Sequence, residues 1–205
     1  MIYEKIRDWQ HHALSAVVQK NPNLGLDERA EDFVRIFEKF LPQNSRILDI
    51  GGGWGFYDGP LKKRGHDLTV LDVVKPGIQR CPVVMYSGDR IPFPDQSFDV
   101  SLFITVLHHI KDIDHVVNEA LRVTRKRIVV VEDLYNHKLG RWWSILRDQV
   151  YNFEFVGHPK NFKKKSEWID FFNRKGLTLS FEKEMTTYLA GLSVLNGVMT
   201  FDIVK

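Results

Sequence analysis

Apolar positions along this chain switch period several times, and the switches mark out its elements. Ile47-Leu48-Asp49-Ile50, Leu68-Thr69-Val70-Leu71, Val100-Ser101-Leu102-Phe103-Ile104 and Ile128-Val129-Val130-Val131 are short, nearly continuous apolar runs. Runs of this kind are strands covered on both faces, the habit of parallel sheets. Between them the spacing becomes helical. Ile2, Ile6, Trp9, Ala13, Ala16 and Val17 form one stripe, and Phe33, Ile36, Phe37 and Phe40 form another behind Asp27 as N-cap. Val116, Val117, Ala120 and Leu121 form a third behind Asp112, and Ser166 to Lys175 is a further helix. Gly59-Pro60 delays the helix after the first strand, and Gly65 reads as its C-cap. Only ten residues, 73–82, separate the second and third strands, so the crossover helix there is expected to be vestigial. Leu177 to Phe181 and Val198 to Ile203 read as an antiparallel pair of strands at one edge. The alternation predicts an α/β, Rossmann-like sheet with helices on both faces.

The first strand runs directly into Gly51-Gly52-Gly53-Trp54-Gly55. Glycines at 51, 53 and 55 let the backbone turn sharply and leave bare main chain for a ligand to lie on. A dinucleotide loop needs G-x-G-x-x-G/A; counted from Gly51 the last position is Phe56, and from Gly53 it is Asp58. A phosphate-cradling loop ending in Gly-Lys-Ser/Thr is absent. Asp49 instead adds a carboxylate two residues before the first glycine, which favours a ligand carrying positive charge. Asp72, at the end of the second strand, is placed for a pair of ribose hydroxyls, a contact that fits an NAD(P) oxidoreductase equally well.

The acid-x-Gly-x-Gly-x-Gly pattern of residues 49–55 resembles the first motif of the class I S-adenosylmethionine (SAM) dependent methyltransferases. Gly88-Asp89-Arg90-Ile91-Pro92-Phe93-Pro94-Asp95-Gln96-Ser97-Phe98-Asp99 is similar to a later run of that family with one spacer residue fewer. Val106-Leu107-His108-His109 resembles its small-molecule members at the end of strand four. The resemblance implies a seven-stranded sheet in the order 3-2-1-4-5-7-6 with the last strand antiparallel. It implies SAM as cofactor, S-adenosylhomocysteine as product, and no metal. Gly51, Gly52, Gly53 and Trp54 would then lie along the methionine part, with Asp49 toward its ammonium. Asp72, with Val73 beside it, would hold the ribose, Asp89 the adenine amine and the Arg90 amide a ring nitrogen. Ile104 and Thr105 would border the methyl group, and His109 or His108 would contact the acceptor or act as general base. One departure from the family is Arg125-Lys126-Arg127, which stands where a Pro-Gly-Gly turn is usual.

Length and composition fit one domain of 205 residues, 43% of them hydrophobic and 27% charged. Residues 1–42 are expected to cover the cofactor site, 43–134 to form the SAM-binding core, 135–165 to be a helical, aromatic lid, and 166–205 to add a helix and edge strands. The lid region is where substrate information concentrates. Residues 121–175 hold 13 Lys/Arg against 6 Asp/Glu, and seven aromatics fall between Tyr135 and Phe162, so an apolar, aromatic or anionic small acceptor is expected. An RNA or protein acceptor, or SAM binding without catalysis, are the alternatives. Against nucleic acid, no Asn/Asp-Pro-Pro-Tyr/Phe follows strand four, and Cys81-Pro82 lies before strand three. A single cysteine excludes an internal disulfide, and no apolar window is long enough to span a bilayer, so a cytoplasmic location is expected.

Overall fold

The computed structural model describes residues 25–152, 159–189 and 191–204, with the backbone alone at 151 and 152. The helix expected over 2–17, with Tyr3, Trp9 and His12, lies outside the described residues, as do Phe153 and Phe155.

Seven strands form one sheet: β1 (Arg46–Ile50), β2 (Asp67–Asp72), β3 (Val83–Met85), β4 (Phe98–Ile104), β5 (Thr124–Asp133), β6 (Leu177–Leu189) and β7 (Leu192–Ile203). Their order is β3-β2-β1-β4-β5-β7-β6, parallel except for β7, which runs antiparallel to both its neighbours. The helices are α1 (Leu26–Phe37), α2 (Asp58–Lys62), α3 (Ile113–Val123), α4 (Lys138–Asn152) and α5 (Lys165–Arg174). Neighbouring strand residues point to opposite faces, so each apolar run feeds two cores at once. Leu48, Phe103, Ile128 and Val130 meet α3 and Trp168, Phe171 and Phe172 of α5. Ile47, Val100, Leu102, Val129 and Val131 meet Phe33, Val34 and Phe37 of α1 on the other side.

Several local expectations need correction. Asp27 does not cap α1. Gly25 does, in the left-handed conformation at φ 74°, and Asp27 with Glu28 sits in the first turn, where carboxylates favour the helix dipole. Phe40 falls in a 3₁₀ turn and stacks on Phe181 at 4.1 Å. Gly59-Pro60 confines α2 to five residues; its C-cap is Lys63, and Gly65 closes the following turn at φ 84°. No helix lies between β2 and β3. Asp112 does cap α3, accepting from the His115 amide at 3.0 Å, while Leu121 only flanks the buried stripe. The Arg125-Lys126-Arg127 departure is absorbed without a turn: α3 passes straight into β5, and Arg125 and Lys126 pair with Asp99 at 3.2 and 3.0 Å. β6 and β7 extend far beyond the apolar stretches that announced them, forming a long hairpin whose outer strand carries Glu182 and Glu184 against Lys165.

Candidate functional site

The carboxyl ends of β1, β2 and β4 converge on the glycine loop, at the point where the strand order reverses. The amide of Gly51 donates to the Leu71 carbonyl at 2.7 Å, tying the loop to β2. Gly51 sits at φ 71°, and a Cβ there would run into the Val106 side chain. At Gly52 a Cβ would strike the Asp49 carboxylate. Bare backbone is therefore required at both positions.

Asp49 is 1% exposed, and neither of its oxygens accepts a hydrogen bond. Burial, reinforced by the charge of Asp72, pushes its carboxyl up to about 7. Asp72 steadies the loop: one oxygen accepts from the Gly53 amide and the other from the Val74 amide, both at 2.9 Å. Val73 beside it is exposed. Trp54 is half-buried and lies 5.6 Å from Phe56, on which Arg80 packs at 4.1 Å while pairing with Asp27 of α1. A buried, unpartnered carboxylate under bare main chain, with a second one nearby, fits a cationic ligand and repels pyrophosphate. That argues against the NAD(P) alternative and leaves the residues in keeping with SAM.

Asp89 and Arg90 are exposed on the loop after β3. Asp89 accepts from the Ser87 hydroxyl at 2.9 Å, and its carbonyl accepts from His115 of α3. The stretch that follows is clamped by Arg122, which reaches the carbonyls of Ile91 and Phe93, both at 2.9 Å, as well as Asp95 and Glu119.

At the end of β4, Ile104 is buried and Thr105 takes a left-handed φ of 50°, which swings the chain into the Leu107–His109 turn. Glu132, fully buried on β5, holds this turn. One oxygen accepts from the amides of Val106 and Leu107 at 3.0 and 2.6 Å, and the other bonds His108 Nδ1 at 2.5 Å. His108 Nε2 faces Asp148 of α4 at 3.4 Å, and His109 Nε2 lies 3.6 Å from the same oxygen. Burial alone lowers the pKa of His108, but the charges and hydrogen bonds of Glu132 and Asp148 override it and raise it well above the ordinary value. His108 thus sits between two carboxylates that favour its protonated form, with Phe162 stacked on it at 4.5 Å. His108, His109 and Asp148 also bring ligand-type atoms within 4.8 Å of one another.

Residues Glu132, Asp133, Arg147 and Asp148 were not anticipated from the sequence. Asp133 accepts from Arg147 at 2.6 Å, Asn196 at 2.7 Å and Arg29 of α1 at 3.3 Å, joining α4, β7 and α1. Arg147 and Asp148 aim α4 inward by its polar side, and Trp142 and Trp143 face outward. Tyr135 and Phe162 do line a cavity of about 990 Å³ with Lys111, Asp112, Arg141, Asn161 and Lys163, among others; the glycine loop takes no part in its wall.

Residues 48–131 match the family described as "Methyltransferase domain". An uncharacterized methyltransferase of Mycobacterium sp. (strain KMS) is 34% identical over 91 residues, which cover 41% of this chain and 36% of that protein. This chain therefore matches little more than a third of that relative's length. A ubiquinone biosynthesis O-methyltransferase of Pelagibacter ubique is 24% identical over 164 residues, 73% of this chain and 68% of the relative. Among solved structures, a SAM-dependent methyltransferase of Thermotoga maritima, described as a possible histamine N-methyltransferase, superposes with a TM-score of 0.68 at 18% identity, covering 93% of this chain and 98% of the other. The Burkholderia thailandensis 1,6-didemethyltoxoflavin-N1-methyltransferase, bound to its namesake and S-adenosylhomocysteine, gives 0.65 at 15% identity, covering 99% and 90%. Likeness at such identities speaks to fold, and the sequence match speaks to the core. Residues 48–131 thus match the methyltransferase-domain family, and the seven-stranded sheet shares the fold of SAM-dependent methyltransferases.

Proposed function

We propose that this chain transfers the methyl group of SAM, in line, to an oxygen, nitrogen or carbon of a small or lipid-like acceptor. The observation that carries the reading is Asp49: a buried carboxylate with no partner of its own, roofed by glycine backbone. SAM supplies an electrophilic methyl on a sulfonium whose leaving group is a neutral thioether. The residues around it then position and select. Gly51, Gly52 and Gly53 give the methionine part room, with Trp54 at the loop's edge, and Asp49 attracts the ammonium. Asp72, with Val73 beside it, would hold the ribose hydroxyls, and Asp89 and the Arg90 amide would hold the adenine. Ile104 and Thr105 border the methyl.

His108 is buried with Nδ1 on Glu132 and Nε2 against Asp148, so a base role falls to the more accessible His109. Holding acceptor, methyl and sulfur in line supplies most of the rate, as for any bimolecular step confined to one site. Relatives named for ubiquinone biosynthesis and for demethylmenaquinone support a small-molecule acceptor. Residues 1–42 and 135–165 are read as the cover and the lid of this site.

Isothermal titration with SAM, S-adenosylhomocysteine and NADH tests the cofactor: the first two are expected to bind, and binding of NADH alone overturns the proposal. Tritiated SAM incubated with the chain and fractionated cell extract tests the reaction, with label expected in small metabolites or lipid. Label confined to RNA or protein refutes the acceptor class. Tight SAM binding with no transfer to any fraction refutes catalysis.

A further inference from the structure

α4 is turned inside out relative to a helix of a water-soluble domain, and we infer that it seats the protein on an anionic lipid surface. Its outward face is Leu139, Trp142, Trp143, Leu146 and Val150, exposed by 80%, 72%, 49%, 42% and 49%. At 3.6 residues per turn these five fall within an arc of about 100°, one continuous apolar stripe. The inward face is Ser144, Arg147 and Asp148, all buried. Arg147 is bonded to Asp133 and Asp148 lies against His108 and His109, so rolling the helix to hide the stripe would expel two ion-paired side chains from the interior. The exposure is therefore fixed by the fold and is not a matter of loose packing.

Charge selects the occupant. Lys138 and Arg141 are exposed on the same helix, whose single carboxylate, Asp148, is buried. A tryptophan-bearing apolar stripe, bordered by Lys138 and free of outward acids, matches an interface where acyl chains lie under negative headgroups. A second copy docked stripe to stripe would instead bring the two Lys138 side chains toward one apolar seam. Lipid docking stands on α4 alone; that it would deliver a lipid-like acceptor without a passage through water rests on the proposed function above.

The test uses the full chain without SAM and extruded vesicles of phosphatidylcholine, with or without phosphatidylglycerol. Co-sedimentation with the anionic vesicles, a blue shift of tryptophan emission and release at high salt are expected. W142S/L146S is expected to weaken the partition about tenfold or more, and K138E to reduce its salt sensitivity. Both variants change exposed side chains, and retained SAM binding by titration confirms that they are folded. That titration also separates a failure of lipid docking from a failure of the cofactor reading. Equal partition onto neutral and anionic vesicles, or none onto either, overturns the proposal. So does a dimer in analytical ultracentrifugation that W142S/L146S dissociates, which assigns the stripe to a second copy. A marked fall in thermal midpoint for W142S/L146S overturns it too, because the stripe then packs within its own chain.

Discussion

α3 and α4 are neighbours in sequence on either side of β5, and they obey opposite rules. α3 buries Ile113, Val116, Val117, Ala120 and Val123 and shows Asp114, Asn118 and Glu119 to the outer side. α4 buries Arg147 and Asp148 and shows Leu139, Trp142 and Leu146 to the outside. The first is held by the removal of apolar surface from water, a non-directional force that tolerates small shifts. The second is held by a few charge-assisted contacts of fixed geometry, which tolerate almost none. A helix that docks by charge is free to spend its apolar residues on something other than its own core.

The contrast is broken most severely from the α3 side. Val117→Asp places an unpaired charge in a fully buried site, and a loss of about 4 kcal/mol or outright unfolding is expected in urea denaturation. In α4 the polar change should matter instead. Arg147→Ala leaves Asp133 with only Arg29 and Asn196, for a loss of about 2–3 kcal/mol. The pair of changes D133N/R147M should recover much of that loss; no recovery would show that the ion pair is not what docks the helix.

A third measurement uses pH. His108 has its pKa raised on folding, so its ion-pair contribution is complete below the ordinary value of 6.5 and is lost as pH rises through the raised value. Each unit of separation is worth about 1.4 kcal/mol. Asp148→Asn should flatten the decline of stability above pH 6.5 expected of the unchanged chain, and an unaltered profile would remove Asp148 from the array. The smallest effect is expected on the outer side of α4, where Leu146→Ser should move stability by no more than about 0.5 kcal/mol. A larger loss would mean that this face is not free.

The same two helices explain what was legible in the sequence. α3 carried a helical apolar period, a capping aspartate and a turn before it, all local signals, and Asp112 does what the pattern said. β1, β2, β4 and β5 were legible because strands covered on both faces are continuous apolar runs. Asp49 and the glycines were legible from spacing alone. The partners of α4 were not: Asp148 meets His108 across 40 positions and Arg147 meets Asp133 across 14, with no periodicity to announce either. Its tryptophans read as acceptor-burying because apolar residues are expected inside, and the inner place was already taken by charge. The length of β6 was hidden for a related reason. Glu182, Lys183 and Glu184 break an apolar pattern but are at home on an edge strand, where Lys165 supplies a counter-charge to both glutamates.

Asp49 stores a protonation equilibrium poised near neutrality. Arrival of an ammonium beside it would favour the ionised form, so uptake of the methyl donor should be accompanied by release of hydrogen ion into the buffer. Calorimetric heats of donor binding near pH 7 would then vary with the ionisation enthalpy of the buffer chosen. They should become insensitive to that choice in Asp49→Asn, so that a dependence of donor uptake on ambient acidity would reside in one side chain.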